Sequence, residues 1–150
     1  MKHIFLDSTP LGTLTNPASS PEAIAIAKWA ADCLMAGHIL YVPEIIDYEI
    51  RRELLRAVKI NGLLKLDAMK VNFKYVPITS VAMSLSAKLW ADSRRAGFST
   101  GDPKKLDIDV ILAAQALTSG ALEEDIIVAT SNANHISRFV TAANWMDILP

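Results

Sequence analysis

The sequence predicts an α/β protein, a three-layer fold in which a central parallel sheet carries helices on both faces. Three observations predict it. Short apolar runs of strand length recur at His3–Leu6, Ile39–Val42 and Ile126–Thr130, and segments of helical periodicity separate them. Strand, helix and strand in succession give right-handed crossovers and hence parallel pairing. The 150 residues are 51% hydrophobic with a mean hydropathy of +0.27, enough apolar material for one core and too much for a disordered chain. A single domain, 1–150, is expected, with no repeat, low-complexity tract or linker.

Taken in order, His3-Ile4-Phe5-Leu6 reads as a buried strand, stopped by a turn over Asp7-Ser8-Thr9-Pro10-Leu11-Gly12. Asp7 is thereby left at a strand's carboxyl end. Pro21 to Met35 reads as a helix, with Ser20 as cap, Pro21 and Glu22 in the first turn, and an apolar face of Ile24, Ala27, Ala31, Leu34 and Met35. Gly37 ends it. Ile39–Val42 is the second strand, and a helix runs from Pro43 to about Asn61-Gly62 on the stripe Ile46, Ile50, Leu54 and Val58. Glu49 lies beside that stripe, with Glu53 one turn on.

A further helix fits Gly62 to Phe73 on Leu63, Leu66 and Met69, followed by a strand over Tyr75–Ile78. Ser80 to Ala96 fits a helix on Val81, Leu85, Ala87, Leu89 and Trp90, closed by Gly97. Phe98 to Leu106 has the composition of a loop. Asp107-Ile108-Asp109 then opens a helix through Val110–Leu117 that is too apolar to be exposed on more than one side. Ile126–Thr130 is a buried strand, Asn132–His135 a turn, and Trp145–Leu149 the last strand.

Fifteen basic and sixteen acidic residues leave a net charge of −1 and a pI near 6.3, so no global field gathers nucleic acid or anionic membrane. A polyanion partner must be held by a local patch. Cys33 is the sole cysteine, which excludes an internal disulfide and a cysteine zinc cage. Together with the polar start Met1–His3, this predicts a cytoplasmic protein. No apolar run approaches the ~20 residues of a bilayer span, so no membrane association is expected. No glycine-rich phosphate loop or nucleophile elbow occurs, and His3, His38 and His135 stand in unrelated contexts and read as structural or solvated.

Carboxylates remain. Asp7 serves either as a turn cap or as a functional acid; Glu49 is either a surface residue paired along its helix or a ligand. Asp109 is harder to assign to structure. In the first turn of an otherwise apolar helix, Asp107 would cap as well, and a carboxylate bordering a core is costly unless paired or metal-bound. In open parallel sheets the ligand site lies outside the strands' carboxyl ends, where Asp7 and the Thr130–Asn132 turn converge. Three acids on separate elements suit a hard cation, Mg²⁺ or Mn²⁺, which positions and deprotonates a water for attack on a phosphodiester.

These residues fall into four short motifs spread between Phe5 and Asn132. They are Phe5-Leu6-Asp7-Ser8-Thr9-Pro10-Leu11, the Glu49 segment Pro43–Leu54, Asp109-Val110-Ile111-Leu112-Ala113-Ala114-Gln115-Ala116-Leu117, and Val128-Ala129-Thr130-Ser131-Asn132. In these motifs the chain resembles the PIN-domain proteins, VapC-type toxins of toxin–antitoxin pairs in particular. The resemblance implies a PIN-like fold and a Mg²⁺-dependent ribonuclease. Asp7, Glu49 and Asp109 would be its metal acids, with Thr130 and Asn132 as supporting catalytic groups. It also implies RNA as substrate, a small antitoxin protein as partner, and homodimerisation. Asn132 departs from the commoner Asp, which weakens a second metal position. Asp107 either compensates or caps the helix.

Arg51, Arg52, Arg56 and Lys59 give the Glu49 helix a basic side, and Arg94, Arg95, Lys104 and Lys105 flank the approach to Asp109. Of these, Arg51, Arg52, Lys104 and Lys105 are the candidate RNA contacts. Two rival readings stand beside the nuclease. One is a PIN-fold module without catalysis that serves binding or assembly, for which neutral Asn132 is the hint. The other is a carboxylate-based phosphatase, weakened by the lack of Asp-x-Asp after the first strand.

Overall fold

A computed structural model describes residues 1–97 and 103–150. Five strands form one all-parallel sheet in the order β3-β2-β1-β4-β5: β1 His3–Leu6, β2 Ile39–Pro43, β3 Lys74–Val76, β4 Ile126–Thr130 and β5 Ala142–Asn144. β1 lies at the centre, where Ile4, Phe5 and Leu6 are wholly buried. This is the α/β architecture with an all-parallel sheet that the alternation of strand and helix signals predicts.

The first departure is α1. Ser8–Thr15 is a helix, not a turn. The Asp7 side chain accepts the Ser8 N–H, Pro10 stands in the first turn where its missing N–H costs nothing, and Leu11 and Leu14 are buried. The turn-forming composition of Asp7–Gly12 describes a capped helix start equally well.

Helix α2, Pro21–Met35, has the predicted bounds and Ser20 cap, but it buries the other face. Ile26, Trp29, Ala30 and Cys33 enter the core, whereas Ile24 and Met35 are 61% and 86% exposed. Apolar residues lie all round this helix, so periodicity alone does not choose. Trp29 does, because its indole N–H donates to the Ile148 carbonyl at 2.9 Å and its ring packs against Trp145.

The helix expected from Pro43 to about Asn61-Gly62 ends earlier, as α3 Glu44–Arg56, and the next, expected from Gly62, already begins at Ile60, as α4 Ile60–Asn72. Between them Val58 takes φ +54° and the Lys59 N–H returns to the Leu54 carbonyl at 2.8 Å, closing α3 with a left-handed residue. Gly62 lies inside α4 and does not stop a helix. A Cβ there would stand 2.8 Å from Leu54 Cδ2, so glycine lets α3 and α4 approach closely.

Helix α5, Ser80–Arg95, buries the small residues Ala82, Ser86 and Ser93 and leaves Val81 and Trp90 outward. It packs on α6, Pro103–Leu117. The loop expected over Phe98–Leu106 lies outside the described residues at 98–102, and from Pro103 onward the chain is already helical. Asp107 and Asp109 are therefore past the first turn of the helix and not at its start. Gln115, buried in α6, accepts from the Ile45 N–H at 3.1 Å and donates to the Val76 carbonyl at 2.7 Å, which ties α6 to α3 and β3.

After β4 a short helix α7, Ala133–Ile136, replaces the expected turn. The last strand falls at Ala142–Asn144, and Trp145–Asp147 is a single 3₁₀ turn. Buried Val140 and Ile148 bracket this segment; the apolar run Trp145–Leu149 packs as a turn against α2. Among the described residues no helix is long and apolar enough to cross a membrane.

Candidate active site

The site is built where β1 and β4 end side by side. Leu6 pairs with Ala129, and the Asp7 N–H extends the ladder by donating to the Ala129 carbonyl at 2.9 Å. The carboxylate of Asp7 is held on both oxygens: Oδ1 accepts the Ser8 N–H and Oδ2 accepts the Thr130 hydroxyl, each at 2.7 Å. Thr130 Oγ1 in turn accepts the Asn132 N–H at 3.1 Å. Across the same mouth the Ser131 hydroxyl donates to Thr9 Oγ1 at 3.0 Å. Two loops that follow neighbouring strands are thus clasped by side-chain hydroxyls.

Asp109 reaches this place from α6 and is 8% exposed. Its carboxyl is pushed up to about 6, first by burial and then by the negative charge of Asp7; Glu49 adds to the rise, while Lys105 and Arg138 oppose it. Asp7 and Asp109 share a cleft of about 170 Å³ whose walls also carry the polar groups of Ser8, Thr9, Ser131 and Asn132 and the basic groups of Lys105 and His135.

Glu49 stands apart from that cleft. It lines an adjoining groove with Gly12, Thr15 and Glu53, and its Oε2 is buried without a hydrogen-bond partner. The paired surface role open to it in the sequence is not what the structure shows: Arg52 lies over the Tyr48 ring at 5.1 Å and Glu53 pairs with Arg56 at 2.9 Å. A buried carboxylate oxygen without a partner is costly unless a cation or its water accompanies it.

Among the described residues no three carboxylate, imidazole or thiol groups are gathered so as to hold a metal ion. The expected set of Asp7, Glu49 and Asp109 is therefore not a closed cage. Two acids share one cleft, and the third acts on Asp109 through its charge. That arrangement fits Mg²⁺, which keeps several waters and takes one or two carboxylates. Asp7 oxygens that accept one hydrogen bond each retain a lone pair for such an ion.

The candidate RNA contacts divide. Arg51 is engaged by Asp47 at 2.8 Å and Asp67 at 2.7 Å, beside Lys70 at 3.6 Å from Asp47, and so secures α3 to α4 instead of offering a free cation. Arg52 is exposed on α3 but lies over Tyr48, and Lys104 is exposed on α6. Lys105 alone of the four lines the cleft. Ser8, Thr9, Ser131 and Arg138 are not among the residues the sequence singles out, and His135 reads there as structural or solvated. The strand-end rule that selects Asp7 selects the hydroxyls beside it as well, whereas no local pattern marks His135 or Arg138.

No protein-family model and no curated protein matches the sequence. Solved structures do. A chain of VapBC2 from Rickettsia felis, crystallised with a DNA fragment from its promoter, superposes with a TM-score of 0.68 at 14% identity, covering 95% of this chain and 98% of that one. A chain of DNA-bound VapBC from Salmonella typhimurium gives 0.61 at 16% identity over 97% and 99%. At such identity the likeness establishes a shared fold over essentially the whole length.

Proposed function

We propose that this protein is a Mg²⁺-dependent endoribonuclease, the toxin of a toxin–antitoxin pair. The observation that carries the reading is Asp109, a carboxylate buried beside Asp7 at the carboxyl ends of a parallel sheet, in a cleft that also holds Lys105. Asp7 and Asp109 would hold the ion, with the unpartnered Glu49 oxygen nearby and the Asn132 amide on the cleft wall. Bound there, Mg²⁺ or Mn²⁺ supplies a polarised water and charge neutralisation for the phosphodiester.

The chain's own residues do the rest. The Ser8 N–H and Thr130 hydroxyl fix the Asp7 carboxylate so that it needs no reorganisation when substrate arrives. Asp109, costly to charge in its buried place, gains a partner for that charge when the ion binds. Lys105 brings a positive charge to the same mouth for the phosphate, where basic contacts position the backbone without reading sequence.

A protein partner is supported by a second feature. A groove of about 860 Å³ runs between the end of α1 and the α3–α4 turn, lined by Gly12, Thr15, Leu54, Val58 and Ile60. Val58 and Ile60 are 74% and 65% exposed, an apolar surface that suits the antitoxin of a VapBC-like pair.

The test is cleavage of RNA by the purified chain. Activity in Mg²⁺ that is lost in EDTA and regained with Mn²⁺ is expected. Cleavage that persists undiminished in EDTA, or none with any RNA in either metal, overturns the reading.

A further inference from the structure

Hydrolysis of a phosphodiester leaves negative charge on the departing ribose oxygen, and an alkoxide departs slowly unless a proton reaches it as the bond breaks. The groups that hold a cation are poor sources of that proton, because they act as carboxylates. Hydroxyls of serine and threonine are too weakly acidic, and a lysine ammonium holds its proton well above neutral pH. Imidazole is the side chain whose ordinary titration spans physiological pH.

The three histidines are placed very differently. His3 and His38 lie at the amino ends of β1 and β2, away from the cleft mouth; His3 Nδ1 is 2.7 Å from the Tyr41 hydroxyl and His38 Nδ1 accepts the Lys2 N–H at 3.0 Å. Both rings have structural work. His135 stands on α7 at the carboxyl end of β4, half-buried, and lines the cleft opposite no partner of its own: among the described residues no hydrogen bond engages its ring. Its backbone carbonyl accepts from Arg138 Nε at 3.2 Å. The charged groups around it are Asp7, Asp109 and Lys105 in the cleft, with Arg138 on its own segment.

We infer that His135 is the proton donor to the leaving ribose oxygen, an assignment that rests on the nuclease reading above. The water oxygen bonds to phosphorus and its proton passes to solvent. The bond from phosphorus to the ribose oxygen breaks, and that oxygen takes the proton of the His135 imidazolium. His135 then regains one proton from solvent, so the net change is addition of one water.

The experiment compares wild type with His135→Gln, which keeps an N–H donor without a transferable proton, on two substrates in Mg²⁺. RNA has a poor leaving group; bis(p-nitrophenyl) phosphate has one that departs without protonation. The assignment predicts that RNA cleavage falls by roughly 10²-fold while the activated diester loses far less. His135→Asn should behave alike. Equal losses on both substrates, or no loss on RNA, overturn the assignment and leave the nuclease reading intact. A wild type that cleaves neither substrate overturns both.

Discussion

The Thr130 hydroxyl donates to Asp7 Oδ2 at 2.7 Å while its oxygen accepts the Asn132 N–H at 3.1 Å. One buried side chain, 1% exposed, therefore joins the ends of two adjacent strands and sets the direction of a carboxylate. The strand residue is as much a part of the site as the acid it holds.

Thr130→Val keeps the shape and deletes both hydrogen bonds. Stability should fall by about 1–3 kcal/mol, the range for stranding buried polar partners, and Thr130→Ser should recover most of it. Chemical denaturation of the three proteins measures this. A valine variant as stable as wild type would show that the clasp carries no energy.

Asp109 should weaken the metal-free fold. Its carboxyl, ordinarily at 3.8, is raised in the folded chain to about 6, so the folded state disfavours the charge. A raised acid costs nothing below pH 4, and the cost grows between about 4 and 6 and is full above. Asp109→Asn in EDTA should therefore be more stable than wild type at pH 7, on the order of 2 kcal/mol, with the difference vanishing near pH 4. Saturating Mg²⁺ should reverse the ranking by stabilising the wild type more. Thermal melts with and without metal at both pH values check it.

Val58 offers a separate test of the backbone. A β-branched residue at φ +54° is strained, and with 74% exposure its side chain has little packing to lose. Val58→Asn and Val58→Gly should each raise stability, by about 0.5–1 kcal/mol. A loss in both would show that Val58 is held by packing.

Arg51 and Arg52 should separate. Asp47 is 7% exposed, and Arg51→Ala removes its principal partner, leaving Lys70 at 3.6 Å. A loss on the order of 2 kcal/mol is expected, against less than about 0.5 kcal/mol for exposed Arg52→Ala. Lys105→Ala, by contrast, should weaken RNA binding and flatten its salt dependence without changing the melting temperature. Equal stabilities for the two arginine variants would deny the ion pair its structural role.

The legible part of this protein was its alternation. Buried runs such as Ile126–Thr130 and capped helices such as Pro21–Met35 carry their class in a dozen residues, and the parallel sheet follows from their order. What local pattern did not settle was which face turns inward. On α2, exposed Ile24 and Ala27 are as apolar as buried Ile26 and Ala30, and Trp29 meeting Trp145 from far along the chain marks the face that turns inward. The pairing of Arg51 with Asp67 is illegible for the same reason, since Asp67 lies sixteen residues away on another helix. Asp7 and Asp109 were legible because each interrupts an apolar run. His135 interrupts nothing and is recognised only once the cleft is built.

The central claim is that the buried carboxylate of Asp109 serves a metal-dependent nuclease. The most direct measurement is the Mg²⁺-dependent turnover of Asp109→Asn on an RNA that the wild type cleaves. The account predicts a loss of roughly 10³-fold or more, the several kcal/mol of charge stabilisation that a bound ion supplies, in a protein at least as stable as wild type without metal. Wild-type turnover by Asp109→Asn would contradict it.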